Sequence, residues 1–122
     1  MKYRILIVSA NYYTDISNNL LKDAKTTLKS KAKYQVINVP GVFEIPVIIA
    51  KNIKKYHGFI ALGCVIKGET PHFDFISNTT INAIMNLSIV HKKPIGNGIL
   101  TCLYKRQAKA RSGSFNKVGK GT

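Results

Sequence analysis

Apolar and polar positions alternate between two periods along the chain. The segment "YRILIVS" (3–9) is a short run rich in β-branched residues, the pattern of a buried strand. In "TDISNNLLKDAKTTLKS" (14–30), Ile16, Leu20, Leu21, Ala24 and Leu28 recur at helical spacing. Thr14 is a suitable N-cap, and Asp15 suits the first turn. "YQVINV" (34–39) is a second strand closed by Pro40 and Gly41. "IPVIIAKNIKKY" (45–56) is a helix entered at Pro46, an accepted early position for proline. "GFIALGCVI" (58–66) is a third buried strand. From Phe73 to His91, apolar positions including Phe75, Ile76, Ile84, Leu87 and Val90 mark a long amphipathic helix. "PIGNGILTCL" (94–103) is a fourth strand, and "YKRQAKAR" (104–111) is a short basic helix. The remainder, "SGSFNKVGKGT", shows no periodicity and is expected to fray. Residues 1–111 therefore form one α/β domain, with 112–122 as a flexible tail.

Strands that alternate with helices predict a parallel sheet, right-handed crossovers and helices on both faces. In such open sheets, ligands bind beyond the carboxyl ends of the strands. Here those ends are "SANYY" (9–13), "PGVFE" (40–44), "IKGETPH" (66–72) and "TCLY" (101–104).

Composition narrows the class. At 122 residues the chain suits one domain with a modest core. No apolar run reaches the length of a membrane span. The start resembles a buried strand more than a secretory leader, which predicts a cytoplasmic protein. Cys64 and Cys102 lie in apolar surroundings and read as buried free thiols. No spacing suggests a metal site. Net charge is +14, from 19 Lys and Arg against 5 Asp and Glu. That balance invites a nucleic-acid reading. Its distribution argues against one: Lys22, Lys25, Lys29, Lys31 and Lys33 follow the wet face and exit of one helix, and Lys51, Lys54 and Lys55 the end of another. A solvated basic surface, attractive to phosphorylated small molecules, is the better account.

Scarce acids and histidines then stand out. Asp15, Glu44 and Asp74 also read as ordinary first-turn acids. His57 and His91 read as surface residues. "GETPHFD" (68–74) concentrates Glu69, His72 and Asp74 in one turn. Gly68, Glu69 and Thr70 offer N–H groups and a hydroxyl at a helix start, which suits an anion. His72 suits either a solvated helix start or proton transfer near neutrality. Tyr12 and Tyr13 are candidates for stacking on a flat ring or for anchoring a loop. Residue by residue, this reaches a polar site at one sheet edge and no particular reaction.

Taken together, "PGVFEIP" (40–46), "ALGCVIKGETPHFD" (61–74) and "PIGNGILT" (94–101), followed by "QAKAR" (107–111) and "NK" (116–117), closely resemble the lumazine synthase family. The resemblance runs from about residue 4 to residue 117. It implies a three-layer α/β/α sandwich on a four-stranded, mainly parallel, flavodoxin-like sheet. It also implies a cofactor-independent, metal-free condensation of 5-amino-6-(D-ribitylamino)uracil with 3,4-dihydroxy-2-butanone 4-phosphate, the penultimate step of riboflavin synthesis. Sites at subunit boundaries of a homopentamer, sometimes a larger shell, are implied too, with riboflavin synthase as a possible partner and neither nucleic acid nor membrane. By position, Tyr12 would stack on the pyrimidine, Val42, Phe43 and Glu44 would hold the ribityl chain and ring, and the backbone of Cys64, Val65 and Ile66 would meet the pyrimidine edge. Glu69 and Thr70 would bind the phosphate with Arg111 of a neighbouring subunit, and His72 would transfer protons. Asn97 stands where many members place an aromatic from the neighbour, and Lys67 where Arg is commoner. The sequence stops at "NKVGKGT", where the family continues into a further long helix. On that ground the alternative expectation is a weakly active or inactive assembly member of the same family.

Overall fold

The computed structural model describes residues 3–69 and 71–112. Four strands, β1 (Tyr3–Ala10), β2 (Ala32–Val39), β3 (Gly58–Ile66) and β4 (Ile95–Cys102), alternate with four helices, α1 (Thr14–Leu28), α2 (Ile45–Lys51), α3 (Phe73–His91) and α4 (Lys105–Ser112). The strands form one sheet in the order β2-β1-β3-β4, and all three pairings are parallel. The alternation of periods predicts the parallel sheet, and the arrangement is the flavodoxin-like α/β one that the family resemblance implies.

Strand parity divides the core. Leu6, Val8, Phe59, Ala61, Val65 and Ile99 face a layer that includes Ile45 and Ile49 of α2 and Ile84 of α3. Ile7, Leu62, Cys64, Ile66, Leu100 and Cys102 face the other way, onto Ile16 and Leu20 of α1 and Ala108 of α4. Because β1 and β3 are covered on both sides, they read as unbroken apolar runs rather than alternating ones.

Several details depart from the sequence reading. Thr14 is the first helical residue and Tyr13 the N-cap, without a side-chain cap. The helix expected over 45–56 stops at Lys51. There the Asn52 amide donates to the Ile48 carbonyl at 2.8 Å, a local bond that competes with helix continuation. Lys93 Nζ then donates to the carbonyls of Ile53 and Tyr56, at 2.5 and 2.8 Å, and holds the turn that follows. The third departure is on α3. Ile76, Ile84 and Leu87 pack inward, but Phe75, Met85, Ile89 and Val90 are exposed. The helix thus carries two apolar faces, one of them open to solvent.

His57, expected at the surface, is half-buried. Its Nδ1 accepts the Arg4 backbone N–H at 2.8 Å, closing the amino end of β1 against the start of β3. Ser112, expected in the tail, ends α4 and is buried. Positions 113–122, including Asn116 and Lys117, lie outside the described residues.

Candidate active site

A cleft of about 320 Å³ opens at the carboxyl end of β1, β2 and β3. One wall is the turn after β2. Gly41 leads into a single 3-10 turn, Val42–Glu44. Glu44 folds back so that its Oε1 accepts the Gly41 N–H at 2.9 Å. That bond holds the carboxylate at the rim through one of its two oxygens. Val42 is buried and anchors the turn, while Phe43 stays half exposed. The Phe43 ring lies 6.2 Å from that of Phe75, tilted by 32°.

Beneath this turn, β3 supplies the floor through Cys64 and Val65. The approach is unusually close. A methyl group placed on Gly63 would lie 2.6 Å from Val42 Cγ1 and 3.1 Å from Ala10 Cβ. Only a glycine lets the 3-10 turn settle this deeply onto the strand. The far wall comes from Tyr12 and Tyr13 after β1, whose rings meet edge to face at 4.9 Å. Tyr12 is 74% exposed, so one ring face is open. Glu69 and Pro71 close the last side, with Ile76 of α3 behind them. Glu69 ends a 3-10 turn, Lys67–Glu69, tied to the chain after β4 by the Gly68 N–H donating to the Leu103 carbonyl at 3.2 Å.

The structure thus gathers Tyr12, Val42, Phe43, Glu44, Cys64, Val65 and Glu69 around one cleft. Four other candidates stand elsewhere. Ile66, the last residue of β3, is fully buried in the layer formed with α1 and α4. His72 is exposed at the N-cap of α3, without a side-chain capping bond, directly after the lining residue Pro71. Asn97 is exposed near the amino end of β4, paired with Ala61, and its Oδ1 accepts the Ile99 N–H at 3.0 Å. Cys64 is paired with Leu100, so Asn97 lies three rungs, about 10 Å, from the floor of its own chain's cleft. Arg111 lies along α4 and donates from Nη1 to the Thr101 carbonyl at 3.2 Å and to Cys102 Sγ at 3.6 Å. It lines a separate hollow with Leu20, Ile60 and Leu62. Thr70 lies outside the described residues.

Both thiols are free and buried. Burial pushes the Cys64 thiol up to about 12, and the neighbouring Cys102 adds to the effect. A thiol held neutral is a poor nucleophile. Cys64 borders the cleft while its side chain packs in the layer formed with α1 and α4.

Residue-by-residue reading did not single out Gly63, Pro71 or Ile76 as part of the cleft. A signal for Gly63 was available, since a glycine inside an apolar strand marks a close backbone approach.

Comparison with known proteins gives this geometry a context. The sequence model described as 6,7-dimethyl-8-ribityllumazine synthase matches residues 2–122. The chain belongs to the 6,7-dimethyl-8-ribityllumazine synthase family. Among curated members, the protein of that name from Bartonella henselae is 48% identical over 116 residues, covering 91% of this chain and 75% of the relative. Its namesake from Bartonella tribocorum is 45% identical over 124 residues, covering 97% and 82%. The one from Agrobacterium fabrum is 47% identical over 118 residues, covering 90% and 80%. The cleft is thus built by the same two stretches, "PGVFE" and "CVIKGE", that carry the family resemblance in the sequence.

Proposed function

We propose that this chain condenses 5-amino-6-(D-ribitylamino)uracil with 3,4-dihydroxy-2-butanone 4-phosphate to 6,7-dimethyl-8-ribityllumazine, releasing phosphate and water. The observation that carries this reading is the convergence of the two family motifs on one cleft. Glu44 and Phe43 stand on one wall, Tyr12 on another and Glu69 on a third.

The roles follow from chemistry. The open face of Tyr12 stacks on the pyrimidine, with Phe43 and Val42 beside it. The other carboxylate oxygen of Glu44 accepts hydrogen bonds from the ribityl hydroxyls. Backbone groups of Cys64, Val65 and Ile66 meet the ring edge. Glu69 and Thr70 bind the butanone phosphate through backbone N–H groups and a hydroxyl. Arg111 of a neighbouring subunit adds a planar, permanently charged fork that suits a phosphate, and Asn97 enters from that neighbour as well. Imine formation and phosphate elimination both move protons, and His72 carries them. Holding two substrates in reacting geometry supplies much of the remaining rate enhancement.

Assembly belongs to this reading. Phe75, Met85 and Ile89 recur at spacings of ten and four residues and, with Val90, give α3 its exposed apolar face. A face of this kind calls for a covering partner. We take that partner to be a second copy of the chain within a homopentamer or a larger shell in the cytoplasm, with riboflavin synthase as a further associate. No helix among the described residues is long and apolar enough to cross a membrane. The alternative of an inactive assembly member is not favoured, because the family match spans residues 2–122 and the similar curated proteins carry the synthase name.

The test is direct. Protein mixed with both substrates should generate lumazine absorbance that depends on each substrate, and native mass on the same sample reads the assembly. Absence of product at high enzyme concentration would overturn the assignment.

A further inference from the structure

A larger cleft, about 580 Å³, lies at the opposite, amino end of the sheet. Arg4 is the second residue of β1 and Ala10 the last, so the two clefts are separated by about 20 Å of strand. Arg4, Lys33 and Lys55 line this cleft with Gln35, Tyr34 and Tyr56, and no acidic residue is among its lining.

The cations are placed against their own repulsion. Arg4 and Lys33 are Cα partners across the parallel β1–β2 pair. Their side chains therefore leave the same face of the sheet at adjacent positions, where like charges destabilise the pairing. Lys55 joins them from the turn after α2. Its carbonyl accepts from Arg4 Nε at 3.3 Å and Nη2 at 3.0 Å. Those bonds orient the guanidinium without neutralising it. Tyr56 is fixed in turn, because its hydroxyl donates to Gln35 Oε1 and its carbonyl accepts from Lys93 Nζ. All five acids, Asp15, Asp23, Glu44, Glu69 and Asp74, lie outside this lining. Three cations on a held frame, with no carboxylate of the described residues in the lining, make a receptor for concentrated negative charge.

We propose that this amino-edge cleft binds a multiply charged phosphate compound, an oligophosphate or a nucleoside polyphosphate. Its volume suits a small molecule. Arg4 offers a planar donor edge to phosphate oxygens, and Lys33 and Lys55 offer mobile point charges on either side. The Gln35 amide and the Tyr56 ring provide polar and flat surfaces for a base where one is attached. Bound anion would remove the repulsion between Arg4 and Lys33, so ligation and stability of the β1–β2 edge are coupled.

Calorimetric titration with tripolyphosphate, ATP and adenosine tests this at low salt. Both phosphates should bind saturably and adenosine should not. Tighter binding of ATP identifies a nucleotide source, and equal binding an oligophosphate. The Lys33→Gln/Lys55→Gln double variant should weaken both by at least about tenfold, the equivalent of one lost charge-assisted contact. Lys22→Gln/Lys25→Gln should bind as the parent does, because it removes the same charge from the exposed face of α1, away from the cleft. Ligand-free Lys33→Gln should melt no lower than the parent, since it relieves a like-charge pair. Undiminished binding in the Lys33→Gln/Lys55→Gln variant would overturn the proposal, as would an equal loss of binding in Lys22→Gln/Lys25→Gln. Single-stranded RNA that binds more tightly than ATP, with a steep salt dependence, would overturn the small-molecule class.

Discussion

Gly63 is the most exacting test of how the fold builds the cleft. In Gly63→Ala the new methyl would meet Val42 Cγ1 at 2.6 Å and Ala10 Cβ at 3.1 Å, with Ile45 Cδ1 at 3.9 Å. Val42 and Ala10 are both nearly fully buried, so neither has free space to enter. The expected cost of such overpacking is about 1–3 kcal/mol. For a chain of this length, at about 4 °C per kcal/mol, Tm should fall by about 4–12 °C. The strain acts on the 3-10 turn, because that element rather than the central strand can shift. Val42 would carry Phe43 and Glu44 with it. A displacement of about 1 Å at a reacting geometry costs up to ~10²-fold. Thermal unfolding and steady-state kinetics should both report the change, with kcat/KM for the ribitylaminouracil reduced more than tenfold. Gly96→Ala is the matched control, since its nearest contacts are 3.8 and 3.9 Å, ordinary van der Waals separations. Equal Tm and equal kinetics for Gly63→Ala and Gly96→Ala would refute the claim that close strand–turn packing sets the cleft.

Three further predictions follow from the site. His72→Gln should lower kcat by about 10²–10⁴ and leave Tm unchanged in thermal unfolding, because the side chain is exposed and caps nothing. Arg111→Ala should raise KM for the butanone phosphate, and mixed assemblies with His72→Gln subunits should recover activity in steady-state assays if the arginine serves a neighbour's cleft. The Cys64 thiol, held up at about 12, should resist a disulfide reagent at pH 8 until the chain unfolds. Its folded value lies above the ordinary value of 9.0, so its contribution to stability is complete below that pH and is lost as pH rises towards 12. Denaturant titrations across that range should show the decline, and Cys64→Ala should reduce it.

Much of this architecture was readable from residue periods, and the exceptions have physical causes. Runs such as "ILIVS" and "GFIALGCVI" announce strands covered on both faces, which fixed the parallel sheet and hence the edge where a ligand binds. The early end of α2 was not readable, because it depends on Asn52 and on Lys93, a residue some forty positions away that takes the carbonyls of Ile53 and Tyr56. The second apolar face of α3 was hidden for a related reason. Phe75 and Val90 match a helical period as well as Ile76 and Leu87 do, and only packing shows which of them the sheet covers. At the candidate site, Phe43, Glu44 and Glu69 line one cleft because strand ends converge in this topology. Asn97 and Arg111 do not join the cleft of their own chain. Their proposed roles need a second subunit, which no intrachain rule of spacing describes.

Kinetics of Glu44→Ala bear most directly on the central claim that this cleft carries the condensation. The Glu44 carboxylate is held at the rim by one bond to the Gly41 N–H, so its removal leaves the fold largely intact. Lumazine formation should continue with kcat/KM for the ribitylaminouracil reduced by at least about tenfold, the value of a lost hydrogen bond from a charged group. KM for the butanone phosphate should hold. Unchanged kcat/KM for the ribitylaminouracil in a variant lacking that carboxylate would contradict the account.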